Sequence, residues 1–268
     1  MLNINSNYGA DFAAKAAKST NNSLNTAFER LSSGSRINFA KDDAAGQGIA
    51  MRLSAEIQSI QMASRNASDA QAMIDTADGA HQEVHNMLLR MREIAVQAAN
   101  GTLSTADRTA LNEEVTALET EITSIADNTS FAGTNLGTST AVTFQIGTKN
   151  GDTLSHTFKD FDKTKIGASV AVDTVTNAAA ALTLLDNAIS LVSTRRGELG
   201  ALSNRLSSTI ANLDNISVNL SSARGRIQDT DFAQETSNLA KSQIMQQAAT
   251  AMLAQANASK QSVLALIQ

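Results

Sequence analysis

The chain has 268 residues, and its 21 basic against 26 acidic side chains leave a net charge of −5, a balance that excludes the basic stripe of a nucleic-acid binder. Ala, Ser, Thr and Asn supply about 45% of it, far above ordinary usage, while aromatics are 3% and Trp, Pro and Cys are absent. Without Cys there is no disulfide, thiol nucleophile or Cys-based zinc site, and without aromatic anchors the core must be aliphatic and alanine-rich, which suits close helix packing better than a broad pocket.

No run approaches the roughly 20 apolar residues of a membrane span, so no membrane insertion is expected. The N-terminal stretch Met1-Leu2-Asn3-Ile4-Asn5-Ser6-Asn7-Tyr8 lacks the charged and apolar regions of a cleaved secretory signal. The expectation is a cytosolic protein, or one exported by a route that needs no such signal.

The first 35 residues carry a narrow helical stripe, Leu24, Phe28 and Leu31. Leu53, Ile57 and Ile60 begin a stronger one. From Ile74 it runs through Ala77, His81, Val84, Leu88, Met91 and Ala95, with gaps alternating three and four. That is a heptad seam along which helices meet lengthwise. The pattern predicts one helix of about 55 residues, roughly 80 Å long, ended by Asn100-Gly101. A further helix starts near Ser104 with Asp107 in capping-box spacing, follows Leu111, Val115, Leu118, Ile122 and Ile125, and stops near Asp127-Asn128.

From residue 129 to about 170 the period becomes two. Val142, Phe144 and Ile146, then Leu154, His156 and Phe158, alternate with polar residues. Asn150-Gly151 between them predicts a hairpin with a tight primed turn, and a further strand is possible over 166–172. Helix then resumes with Leu185, Ile189, Val192, Leu199, Leu202, Leu206, Ile210, Leu213, Ile216, Leu220 and Ile227. Met245, Ala249, Met252, Ala256 and Val263 share one face of a last helix. This near-palindromic order predicts a mainly α chain that folds back at the hairpin into an elongated rod of long antiparallel helices, with its termini together. The polar, Ala-rich ends bury too little to offset their ordering entropy alone and are expected to order on assembly.

Catalytic chemistry finds little support. His81 and His85 stand four apart with Glu83 between them, but a metalloprotease helix places its Glu directly after the first His, where Gln82 stands. His81 also occupies a seam position, so packing is its expected role. His156 reads as a strand residue, and Asp42-Asp43 as helix capping rather than paired carboxylates. No Gly-rich phosphate loop is present. The reading is a non-enzyme without cofactor or metal. Arg90, Arg92 and Glu93 lie off the seam, either on a solvated face or on a contact surface; periodicity does not choose.

Leu31-Ser32-Ser33-Gly34-Ser35-Arg36-Ile37-Asn38, followed by Lys41-Asp42-Asp43-Ala44-Ala45-Gly46, resembles the N-terminal signature of bacterial flagellins. So does Arg92-Glu93-Ile94-Ala95-Val96-Gln97-Ala98-Ala99-Asn100-Gly101. At the other end Asn204-Arg205-Leu206, Arg226-Ile227-Gln228-Asp229-Thr230-Asp231-Phe232-Ala233 and Met252-Leu253-Ala254-Gln255-Ala256-Asn257 match in order. The resemblance covers residues 1 to about 130 and 180 to 268. Gly225 departs from a usual Ser, and Ser259-Lys260 fall where many members carry Pro.

The resemblance implies a terminal coiled-coil domain at 1–40 and 234–268, disordered in the monomer, in which Leu24, Phe28, Leu31, Met245, Ala249, Met252, Ala256 and Val263 pack. It implies a helical bundle at 41–129 and 170–233 and a β-hairpin region at 130–169, without the large outer domains many flagellins insert there. The implied function is an extracellular subunit that polymerises into the flagellar filament, exported unfolded through a type III channel. A hook–filament junction protein and a secreted adhesin are the alternatives. Implied partners are further copies of the chain, an export chaperone, the filament cap, hook-associated proteins and the vertebrate Toll-like receptor 5. The positions matching that receptor's contact face, which is also a subunit interface, are Arg90, Ile94 and Glu114, with Leu88, Arg92, Glu93 and Gln97 nearby. Leu89 and Ile94 depart there from the usual residues.

Overall fold

The computed structural model describes residues 6–265, with side chains to residue 259. Among these residues the helices are α1 Tyr8–Ser33, α2 Ala44–Ala98, α3 Thr105–Asn128, α4 Lys163–Ile166, α5 Val175–Gln228 and α6 Phe232–Ala265. The strands are β1 Ser130–Phe131, β2 Thr134–Asn135, β3 Thr140–Gln145 and β4 Thr153–Phe158. The chain is mainly α with a small β region at its middle, the class its periodicity predicts.

Short polar side chains start the helices by accepting amide hydrogens that have no partner within the first turn. Asn7 accepts from Ala10 N ahead of α1, and Asp43 Oδ1 accepts from Gly46 N, 2.8 Å away, ahead of α2. Ser104 and Asp107 form the capping box of α3, and Asp231 Oδ1 accepts from Ala233 N and Gln234 N ahead of α6. Asp42 instead accepts from Phe39 N and Asn38 N and holds the loop before α2. These amides, that of Phe39 foremost, keep its carboxyl below the usual carboxylate range.

Two compact units divide within α2 and α5, not in the connecting loops: residues 1–55 with 219–268, and residues 56–218. In the second unit the seam from Ile74 to Ala95 is buried throughout, with no member above 3% exposed. It packs on Ala178, Ala181, Leu185, Ala188 and Val192 of α5 and on Val115, Ile122 and Ala126 of α3. Alanines at so many seam positions let the helix axes approach closely. Ser64–Asp214, Gln71–Ser203, Asp78–Arg196 and Arg92–Asp186 are bonded in turn, so α2 and α5 run antiparallel. An 18-residue window of α5 reaches a mean hydropathy of 1.4, enough by composition to cross a membrane. Within it Ala178, Ala181, Leu185, Ala188 and Val192 are buried in the shared core, while Leu184 and Leu191 stay exposed.

A second core joins Ala67, Ala70, Met73 and Ile74 of α2, and Leu199 and Leu206 of α5, to Leu136, Leu154 and Phe158. The β3–β4 hairpin lies on it with Val142 opposite His156 and Phe144 opposite Leu154. The turn differs from expectation. A primed turn needs φ above zero at its first central residue, and the type I′ form at both, yet only Gly151 (φ 94°) has it, not Asn150. Residues 149–152 form a type II turn closed by Asp152 N donating to Lys149 O. The primed turn falls on Ala132-Gly133 (φ 48° and 83°), between the unforeseen strands β1 and β2.

Residues 166–172 are not a strand. Side chains of α3 replace a neighbouring strand as acceptors: Val170 N donates to Glu119 Oε1 (2.7 Å) and Val172 N to Asn112 Oδ1 (2.9 Å). Glu119, which is not among the apolar seam positions of α3, is therefore buried, where it also pairs with Lys163 at 3.2 Å.

Candidate assembly and recognition surfaces

In the first unit α1 and α6 pair antiparallel. Asn7 Nδ2 donates to Ala256 O, Gln246 Nε2 to Asn21 Oδ1, and Arg30 lies 3.8 Å from Glu235. The loops that turn the chain at one end are zipped together. Ser35 and Asp229 form a β-bridge, Arg36 N donates to Gln228 O at 2.6 Å, Thr230 N to Gly34 O at 3.0 Å, and Arg36 Nη2 to Ile227 O at 2.8 Å. Gly34 makes this possible by ending α1 in a left-handed conformation (φ 71°).

The α1 seam consists of Ala13, Thr20, Leu24, Ala27 and Leu31. On α6 it follows Leu239, Ser242, Gln246, Ala249, Leu253 and Ala256, in strict alternation of three and four. Of the residues assigned by resemblance to terminal packing, Leu24, Leu31, Ala249 and Ala256 lie on this seam. Phe28, Met245 and Met252 lie outside it, at 48%, 52% and 55% exposure, and Val263 falls beyond the described side chains. Ile244, Tyr8 and Phe12 are exposed as well. The pair thus has an interior of four leucines set among small and polar residues, and carries its aromatic and methionine side chains outward.

The second candidate surface is on the second unit. Leu88 and Ile94 point into the core at 0% and 1% exposure, which leaves Arg90, Arg92, Glu93, Gln97 and Glu114 on the outside. The Arg90 guanidinium bridges two helices. Nη2 and Nε lie 2.8 Å and 2.9 Å from Glu114 Oε1 on α3, and Nη1 lies 3.2 Å from Glu93 Oε2. Arg92 Nε donates to Asp186 Oδ1 on α5 at 2.6 Å. The Glu114 hydrogen bond first, and that from Asp186 for the second arginine, raise both guanidinium pKa values above the ordinary one. Leu89 and Val96 are exposed beside them. Asp186 was missed by sequence reasoning. It has no periodic signal, and only the antiparallel register of α2 and α5 brings it to Arg92.

His81 and His156 line one small cavity together with Phe158, Arg195 and Glu198. His81 is buried on the seam, its Nδ1 2.8 Å from Ala77 O and its ring 4.6 Å from that of Phe161. Burial above all lowers its pKa, and that of His156, which lies edge-on to Phe158. His85 Nδ1 is enclosed and has no partner among the described residues. Nor do three His, Asp or Glu side chains meet there as a metal-binding group.

Paired chain ends, a heptad bundle and contact faces on exposed helices define a structural, assembly-forming class of helical protein. Residues 4–139 match the bacterial flagellin N-terminal helical region, and residues 182–267 the bacterial flagellin C-terminal helical region. The flagellin of Halalkalibacterium halodurans is 43% identical over 247 residues, 90% of this chain and 91% of that protein. Flagellin C of Vibrio cholerae is 33% identical, with 99% of each chain covered. Among solved structures, Bacillus cereus flagellin aligns with a TM-score of 0.52 and 32% identity over 56% of this chain and 88% of its own. The chain belongs to the bacterial flagellin family. It is a structural, self-polymerising subunit of the extracellular flagellar filament. The Vibrio alignment extends over 374 positions against 268 residues here, so those flagellins carry insertions that this chain lacks.

Proposed function

We propose that the α1–α6 pair forms the inner layer of the filament and the α2–α3–α5 bundle with its hairpin the outer layer. The divisions lie near residues 40 and 233, with the hairpin region at 130–169. The observation that carries this is the outward apolar stripe of Phe28, Ile244, Met245 and Met252 on a helix pair whose own seam sets only four leucines among small and polar residues. Such a pair gains little from its own closure and more from burying the stripe against further copies. A head-to-tail contact of this kind does not close on itself and builds an open helical polymer.

In this reading the subunit is exported unfolded through the flagellar type III channel with the help of a chaperone. It then adds beneath the cap onto hook-associated proteins. Arg90, Arg92, Glu93, Gln97 and Glu114 form the face that meets a neighbouring subunit in the filament and Toll-like receptor 5 on a free monomer. Leu88 and Ile94 support that face from beneath. The test is electron microscopy of depolymerised protein returned to neutral pH with filament seeds. Long tubular filaments are the expected result. Persistent monomers, or protein only at seed ends, would favour a junction protein instead. Silence of a receptor reporter cell exposed to monomer would remove the receptor reading alone.

A further inference from the structure

Asn-Gly occurs twice in the chain, at Asn100-Gly101 after α2 and at Asn150-Gly151 in the β3–β4 turn. Asparagine is a thermolabile residue, and a following glycine has no Cβ to shield its backbone nitrogen. Both pairs are exposed, so composition does not separate them. Their backbone hydrogen bonds do.

The Asn100 carbonyl accepts from Leu103 N at 3.4 Å and from Arg108 Nη1 at 3.2 Å, and its side-chain Oδ1 accepts from Thr102 N at 3.1 Å. The peptide between Asn100 and Gly101 is tied on its carbonyl side. Asn150 and Gly151 are the two central residues of the type II turn, which is closed around them by Asp152 N on Lys149 O and by Lys149 N on Asp152 Oδ2. Among the described residues neither the Asn150 carbonyl, nor the Gly151 amide, nor the Asn150 side chain has a hydrogen-bond partner. The central peptide of the turn can rotate without breaking a bond.

We propose that Asn150 is a site of spontaneous deamidation, by which each hairpin tip acquires a carboxylate with age. The Gly151 nitrogen attacks Asn150 Cγ. The new N–Cγ bond forms as the Cγ–Nδ2 bond breaks, and the Gly151 amide proton leaves with the departing nitrogen as ammonia. Water then opens the five-membered imide at either carbonyl, giving aspartate or an isoaspartyl linkage. Only water is consumed. The product places a second carboxylate two residues from Asp152, and the isoaspartyl form inserts an extra backbone carbon into the turn that Asp152 closes. In a filament whose subunits stay outside the cell, the modification has time to accumulate.

The test incubates the intact protein in mildly alkaline buffer, folded and in urea. Conversion at Asn150 and Asn100 is then followed by peptide mass spectrometry with isoaspartate detection. In the folded protein Asn150 is expected to convert several-fold faster than Asn100, and in urea the two rates should converge. Equal rates in the folded protein, faster loss at Asn100, no conversion at Asn150, or a gap that persists in urea would each overturn the proposal.

Discussion

Ala132 and Gly137 show how single backbone positions decide the loop that follows α3. Ala132 holds φ 48° at the first central position of a primed turn, a conformation that costs an L-residue with a Cβ about 1 kcal/mol. Asparagine tolerates it better, so Ala132→Asn is expected to stabilise the second unit by about 0.5–1 kcal/mol, read from denaturant unfolding at unchanged m-value. Gly137 is buried, and a Cβ there would overlap the backbone carbonyl of Ala126. Because backbone cannot step aside as a side chain does, Gly137→Ala is expected to destabilise by about 2–3 kcal/mol in the same measurement. Asn-Gly is the strongest short hairpin signal in a sequence, yet at 150–151 it did not select the primed turn. Ile146 and Asp152 are still bonded to each other at the hairpin's end, so the loop is longer than the two residues a primed turn joins.

Among elements, the α1–α6 pair was legible in its existence and displaced in its phase. Reading large apolar residues as interior selected Phe28, Met245 and Met252. The seam instead follows Ala13, Leu24, Ala27, Leu31, Ala249 and Leu253, where small side chains between the leucines let two helices close. Sequence periodicity cannot distinguish a stripe that faces its own partner from one left for another copy. For α2 the phase was legible, since its seam residues Ile74, Val84, Leu88 and Met91 fall in a run of gaps alternating three and four, while the exposed Leu89 and Val96 break no such repeat. His81 on that seam makes a pH prediction. Burial keeps its pKa, and that of His156, below the ordinary value near 6.5. As pH falls below about 6.5 the unfolded chain binds protons that the folded state does not, so stability declines on acidification. Asp78, Arg195, Arg196, Lys159 and Glu198 surround these rings. Hydrogen exchange of the Ile74–Leu88 amides should accelerate as pH is lowered through this window, after correction for intrinsic rates. His81→Leu should flatten the dependence, and an unchanged slope would place its source elsewhere.

For the whole molecule the relevant quantities are the exposed stripe and the net charge. Met245→Glu with Met252→Glu adds two charges outside the α1–α6 seam, so monomer helicity by circular dichroism should stay the same while seeded elongation is lost. Elongation of the unaltered chain should quicken as salt is raised from low ionic strength. Subunits of charge −5 repel one another, and screening shortens that repulsion to about 8–10 Å near physiological salt. Light scattering during seeded growth checks both, and growth slowed by salt would show that attraction between opposite charges controls the contact.

The helices, their caps, the alternation of β3 and β4 and the motifs that carry family membership were determined by the sequence itself, because each depends on residues a few positions apart. Only the tertiary structure decided that Asp186 meets Arg92 and that Glu119 and Asn112 hold an irregular segment where a strand was expected. It alone turned Ile94 inward and the terminal methionines outward. The reason is that each of these depends on which faces of distant helices close on one another, and one chain's periodicity specifies a face without naming its partner.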